Sequence, residues 1–149
     1  MNFSKKDFQK TLTENILVHK NLISNYDKIK DIVDLFSKKL INGNTIFTCG
    51  NGGSASDSEH LSTEFLVRLK PKNNRRPYKI LNLGMNNSYL TACSNDFNFK
   101  HVFSRSLSAL ARPGDVLWAI STSGNSKNIK DVLIKAKELG VNTVGFYGK

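Results

Sequence analysis

Residues 45–54 read Thr45-Ile46-Phe47-Thr48-Cys49-Gly50-Asn51-Gly52-Gly53-Ser54 and change character midway. Its first half is β-branched and apolar, the composition of a fully buried strand. Its second half is a glycine-rich turn. The residues after it, from Ser54 to about Leu69, have helical character, with Ser54 and Asp57 at the spacing of a helix-capping pair. The unit is therefore strand, glycine loop, helix. Two adjacent glycines remove the side chains that would keep a ligand away from the backbone, although the dinucleotide-binding pattern GxGxxG is not matched.

The same alternation continues toward the C-terminus. Tyr78 to Leu83 reads as a second buried strand, Ser88 to Ser94 as a short helix, and Val102 to Ala111 as a longer one closed by Arg112-Pro113-Gly114-Asp115. Val116 to Ser121 is a third strand, Ser126 to Leu139 a helix stopped at Gly140, and Asn142 to Tyr147 a fourth strand. Apolar strands alternating with helices predict a parallel sheet covered on both faces, an α/β three-layer αβα sandwich. Upstream, Phe8, Leu12, Ile16, His19 and Ile23 recur at helical spacing, as do Ile29, Ile32, Val33, Phe36 and Leu40 before Gly43. Two N-terminal helices thus precede the core. The expected division is residues 1–43 for those helices and 44–149 for the sandwich, within a single domain.

In parallel sheets ligands gather at the carboxyl ends of the strands, where both polar loops fall. Ser121-Thr122-Ser123-Gly124-Asn125-Ser126 puts four hydroxyls into six residues at a helix start, where free N–H groups and the helix dipole favour an anion. No P-loop lysine is present in it, which argues against a nucleoside triphosphatase and for a phosphate monoester. A serine N-cap accounts for Ser123 or Ser126 alone, but not for all four hydroxyls. His60 and Glu64, four residues apart, share a helical face and present a base and a metal ligand to one pocket, or else form an ordinary surface pair. Asn95-Asp96 carries the composition of a turn or cap as well as of a ligand contact.

Composition narrows the classes. The 149 residues are 39% hydrophobic and 23% charged, which suits one globular domain that needs no disulfides. No apolar run approaches the roughly 20 residues of a membrane span, and Met1 to Asp7 lacks the apolar core of a secretory leader, so the expected location is cytoplasmic. Cys49 and Cys93 form no CxxC and lie in apolar stretches, as buried free thiols do. The net charge of +10 is concentrated in Arg68, Lys70, Lys72, Arg75, Arg76 and Lys79. That stretch reads as a solvated loop, ahead of an anionic-substrate funnel, with nucleic acid last because only Tyr78 interleaves it.

Taken together, Cys49 to Ser54, His60 to Glu64, Ser94-Asn95-Asp96-Phe97, Phe103-Ser104-Arg105, Arg112 to Leu117 and Ile120 to Ser126 closely resemble the phosphoheptose isomerases of the sugar isomerase (SIS) superfamily. The resemblance implies an aldose–ketose isomerisation, sedoheptulose 7-phosphate to glycero-manno-heptose 7-phosphate, feeding heptose to lipopolysaccharide, capsule or S-layer glycans. It implies Glu64 as the base; Asn51, Gly52, Gly53, Ser54, Glu64, Asn95, Asp96, Ser121, Thr122, Ser123 and Ser126 as substrate contacts; and His60 with Glu64 as half of a zinc site. It also implies a homotetramer assembled through the N-terminal helices. The departure is C-terminal: the family continues past the position of Lys149 with a strand and a helix whose Gln and His supply the other zinc ligands and the partner acid. The alternative is a non-catalytic SIS protein that binds a phosphosugar or a replication initiator. The replication-initiator binders lack the glutamate matched by Glu64 and alter the serine loop, whereas this chain keeps both.

Overall fold

Ser4 starts the first helix with a reciprocal cap. The Asp7 amide donates to Ser4 Oγ at 3.2 Å, and the Ser4 amide donates to Asp7 Oδ2 at 3.0 Å. In the computed structural model, which describes residues 3–84 and 86–148, helix α1 spans Lys5–Asn21 and leads through a 3-10 turn at Leu22–Asn25 into α2, Tyr26–Ile41. The first two residues of the stretch read as lacking a leader, and the terminal Lys149, lie outside the described residues. Helix α1 buries none of its residues, so its stripe of Phe8, Leu12 and Ile16 is exposed, as is Ile23 beyond it.

The chain divides into two compact units, one up to Leu35 and one from Phe36. The boundary between the units falls inside α2 because Phe36 and Leu40 belong to the core of the second unit, Phe36 packing on Trp118 with ring centroids 5.1 Å apart.

The second unit is built on four parallel strands, β1 (Ile46–Cys49), β2 (Ile80–Asn82), β3 (Val116–Ser121) and β4 (Asn142–Tyr147), in the order β2-β1-β3-β4. Helices α3 (Gly53–Leu66), α4 (Asn87–Asp96), α5 (Val102–Leu110) and α6 (Lys127–Glu138) connect them, with a 3-10 turn at Phe99–His101 before α5. Side chains alternate along β1, and the two faces differ. Phe47 and Cys49 join Leu117 and Ala119 of β3 in a core with Leu107 of α5 and Ile129 and Val132 of α6. Thr48 points the other way, where its hydroxyl donates to Ser58 O at 3.0 Å and pairs with Ser62 Oγ at 2.8 Å on α3. Helices therefore cover both faces, giving the three-layer αβα sandwich expected.

Two elements are shorter than their sequence suggests. Helix α3 stops at Leu66 instead of Leu69, and β2 keeps only three residues of the six expected. At the opposite end of the sheet from the polar loops, Asp115 collects the strand starts: its carboxylate accepts from Thr45 N and Arg112 N, both at 2.9 Å, and its carbonyl accepts from Asn142 N at 2.8 Å. A buried acid that satisfies three backbone donors explains why the Arg112-Pro113-Gly114-Asp115 turn closes where it does.

Candidate active site

The glycine loop turns sharply at the end of β1. At Gly50 a Cβ would lie 2.3 Å from Ser54 O, so no larger residue fits. Gly52 has φ +56° and is itself the N-cap of α3, with no side-chain cap hydrogen bond. The capping pair expected at Ser54 and Asp57 is therefore not formed. Because Gly52 can take a positive φ, the helix begins at Gly53, and Ser54 becomes a buried residue of the first turn.

The serine loop is organised by its own backbone. Gly124 N donates to Ser121 Oγ at 3.2 Å, and Asn125 N donates to Ser123 Oγ at 3.2 Å. Gly148 N, at the end of β4, donates to Ser121 O at 3.2 Å and closes the loop from outside. Ser126 stands at the N-cap of α6 with no side-chain cap hydrogen bond. Its hydroxyl and the first amides of α6 are thus not spent on one another, which leaves them for an anion.

The two loops are joined by a pair of amides. Asn51 Nδ2 donates to Asn128 Oδ1 at 2.9 Å, and Asn128 Nδ2 returns a bond to Asn51 Oδ1 at 2.8 Å. Asn128 is only 3% exposed. Beside the pair lies a cavity of about 290 Å³ lined also by Ser126, Lys100, Lys127 and Asn98. The two lysines give this end of the site positive charge. Sequence reading missed Asn128 and both lysines: Asn128 looks like any first-turn polar residue, and Lys100 comes from a distant turn.

His60 and Glu64 meet as their spacing predicts, with His60 Nε2 3.1 Å from Glu64 Oε1. The His60 side chain is 74% exposed and that of Glu64 26%. Both line a cavity of about 410 Å³ walled by Leu61, Phe65, Leu69 and Arg75. No residue of the glycine or serine loop lines that cavity, and of those loops only Asn51 and Ser126 line the one beside Asn128. Asn95 and Asp96 are exposed at the end of α4 and line neither; Asn95 Nδ2 donates to Asp96 Oδ1 at 2.9 Å. The basic stretch is largely exposed, but Arg75 turns inward, its guanidinium 4.9 Å from the Tyr78 ring centroid.

Imidazole nitrogen and carboxylate oxygen are zinc-type donors, but zinc sites take at least three protein ligands. Among the described residues no group of three or more His, Cys, Asp or Glu side chains converges, so His60 and Glu64 by themselves do not make such a site. Neither cysteine contributes. Both are free and buried, and burial pushes the Cys49 thiol up to about 12.

The SIS domain family profile matches residues 12–148. The chain belongs to the SIS domain family. Among relatives of this SIS chain, the phosphoheptose isomerase of Geotalea daltonii is 46% identical over 122 residues, which are 82% of this chain and 62% of that protein. The probable phosphoheptose isomerase of Thermoplasma acidophilum is 41% identical over 143 residues, 96% of this chain and 76% of that one. The chain thus spans less than two thirds of the length of several curated relatives it matches. Among solved structures, phosphoheptose isomerase GmhA from Neisseria gonorrhoeae superposes with a TM-score of 0.76 at 32% identity, over 95% of this chain and 76% of that one. The phosphoheptose isomerase from Francisella tularensis gives 0.87 at 25% identity, over 99% and 77%.

Proposed function

We propose that this SIS chain carries the phosphate-binding and proton-abstracting parts of a sugar-phosphate isomerase acting on a seven-carbon sugar, sedoheptulose 7-phosphate to glycero-manno-heptose 7-phosphate. The observation that carries the reading is the serine loop, with Ser126 uncommitted at the N-terminus of α6 and the Asn51–Asn128 pair fastening the glycine loop beside it. A phosphate monoester matches that arrangement in charge and size. The names of the relatives support the heptose.

In this reading the hydroxyls of Ser121, Thr122, Ser123 and Ser126 and the α6 amides hold the phosphate, and the lysines at 100 and 127 draw it in. Asn51 to Ser54, Asn95 and Asp96 contact the rest of the sugar. Glu64, as carboxylate, removes the C1 proton of the ketose to give an enediol and returns it to C2, while the hydroxyl proton passes between O1 and O2. His60 holds the Glu64 carboxylate from one side. Zinc would supply Lewis acidity to the substrate oxygens. His60 and Glu64 offer two of its ligands, and further donors must join them.

The exposed apolar stripe of α1 suits an assembly of several copies of the chain, a homotetramer. The setting that goes with this is cytoplasmic supply of heptose for surface glycans. The test is Glu64→Gln in the full-length protein. The expected result is loss of isomerisation and of solvent-deuterium incorporation at C2, with sugar-phosphate affinity kept. Full exchange in that variant would overturn the assignment of the base; absence of sugar-phosphate binding in the unaltered protein would overturn the whole reading.

A further inference from the structure

Arg75 lies in the basic stretch, yet its guanidinium is spent on backbone carbonyls. Its Nη2 donates to Glu64 O at 2.7 Å, and its Nη1 donates to Phe65 O at 2.8 Å and Arg76 O at 3.0 Å. The group lies 4.9 Å from the Tyr78 ring centroid and 5.9 Å from that of Phe65, so two aromatic rings fix its place.

The Glu64 and Phe65 carbonyls belong to the last turn of α3. The helix ends at Leu66 and the chain swings away at Val67 (φ −100°, ψ −90°), so the amides four residues beyond Glu64 and Phe65 have left the helix. Arg75 replaces them, together with Tyr78 N, which donates to Phe65 O at 3.2 Å. A positive group at the negative end of the helix is also favoured by its dipole. The residue whose carbonyl is held at 2.7 Å is the one whose carboxylate faces His60, and Arg75 lines the same cavity as both.

We propose that Arg75 is a positioning residue for Glu64: by tying down the Glu64 and Phe65 carbonyls it fixes the last turn of α3, and with it the carboxylate, at the point where the proton is taken. This rests on the reading of Glu64 as the base. The planar guanidinium fork spans two adjacent carbonyls while lying over the Tyr78 ring, a fixed geometry that the point-like, rotatable ammonium of lysine does not reproduce.

The test uses the full-length protein with sedoheptulose 7-phosphate, comparing the unaltered enzyme with Arg75→Ala, Arg75→Lys and Glu64→Gln well below the lowest melting temperature. A displaced catalytic group costs on the order of 100-fold in rate, so Arg75→Ala is expected to lower kcat by about 10- to 100-fold and leave KM within about threefold. KM is spared because Ser126 and Asn51, in the proposed phosphate site, line a different cavity from Arg75. Arg75→Lys is expected to recover little, and amide hydrogen exchange should rise at the end of α3 in both variants. Unchanged kcat in either folded variant, or a loss carried by KM, overturns the proposal. So does failure of both variants to fold, since positioning requires a folded protein with slow chemistry. An active Glu64→Gln sinks the underlying assignment of the base; an inactive Glu64→Gln beside fully active Arg75 variants sinks only the role of Arg75.

Discussion

Asn51 and Asn128, 77 residues apart in the chain, exchange two side-chain amide hydrogen bonds of 2.9 and 2.8 Å and thereby lock the glycine loop to the first turn of α6. Each asparagine uses one donor and one acceptor on the other, and the pair is part-buried, so neither partner is replaced by water without loss. The candidate phosphate end of the site is thus held by a bond between its two loops.

Asn128→Asp tests this directly. The change keeps an acceptor for Asn51, removes the donor of the returning bond, and puts a negative charge beside the proposed phosphate. Losing the returning bond alone is worth about 1 kcal/mol, and charge repulsion adds to it, so sugar-phosphate affinity is expected to fall at least about tenfold. Isothermal titration measures it. An unchanged Kd in a folded Asn128→Asp protein would separate the clamp from ligand binding.

Asp131 gives the second unit a pH dependence of predictable sign. Burial pushes its carboxyl up, but hydrogen bonds from Ser104 and His101, and the charges of His101 and Lys100, outweigh burial and hold it below the ordinary carboxylate value. A carboxylate depressed on folding contributes stability that is present above its unfolded value near pH 4 and is lost as pH falls through the folded one. Asp131→Asn is therefore expected to cost about 1–2 kcal/mol at pH 7, with the gap to the unaltered protein closing below about pH 4. Urea unfolding at pH 7, 5 and 3 measures the gap. A difference that stays constant with pH would mean the carboxylate charge contributes nothing.

Helix α1 leads to a prediction about assembly. Leu12 and Ile16 are 49% and 47% exposed on a helix that buries nothing, a costly display of apolar surface for an isolated chain. The double variant Leu12→Glu/Ile16→Glu is expected to dissociate the proposed oligomer, with a lower mass by light scattering and the second unit still folded. Trp118 is the one tryptophan in the sequence and is buried between Phe36 and Phe146, so its emission reports on that unit. An unaltered mass would place the interface elsewhere.

Strand and helix order was legible because it rests on local signals: Val116 to Ser121 and Asn142 to Tyr147 are strands over the very spans that their apolar runs suggest. What was not legible depended on partners far along the chain. The end of α3 is set by Arg75, whose role no periodicity reveals. The sheet-facing side of α3 is lined by Ser54, Ser58 and Ser62 instead of an apolar stripe, and it packs through Thr48 and through Asn82, which donates to Ser58 Oγ at 2.9 Å. In the site, local spacing brought His60 to Glu64, but the Asn51–Asn128 pair follows from tertiary packing.

Asn98 carries the last prediction. It sits at φ +128°, ψ 144°, backbone territory essentially reserved for glycine, and is the only non-glycine residue with positive φ among the described residues. Such strain costs about 1–3 kcal/mol. Part of it is offset locally, since Asn98 Oδ1 accepts from Lys100 N at 2.9 Å and caps the short turn before α5. Replacing a capping asparagine by glycine loses only a few tenths of a kcal/mol, so Asn98→Gly is expected to raise stability by about 1 kcal/mol. Asn98→Ala loses the cap without relieving the backbone and is expected to lower stability by about 1 kcal/mol. Thermal melts of the two variants should therefore move in opposite directions, by about 2–4 °C each for a chain of this size. Asn98 also lines the cavity beside Ser126 and Lys100, so sugar-phosphate affinity measured on the same two proteins shows whether the strain serves the site. Weaker binding by the more stable glycine variant would mean that it does, and equal binding would make the strain a purely local cost. Melts that shift the same way would show that the cap, and not the backbone, governs this turn.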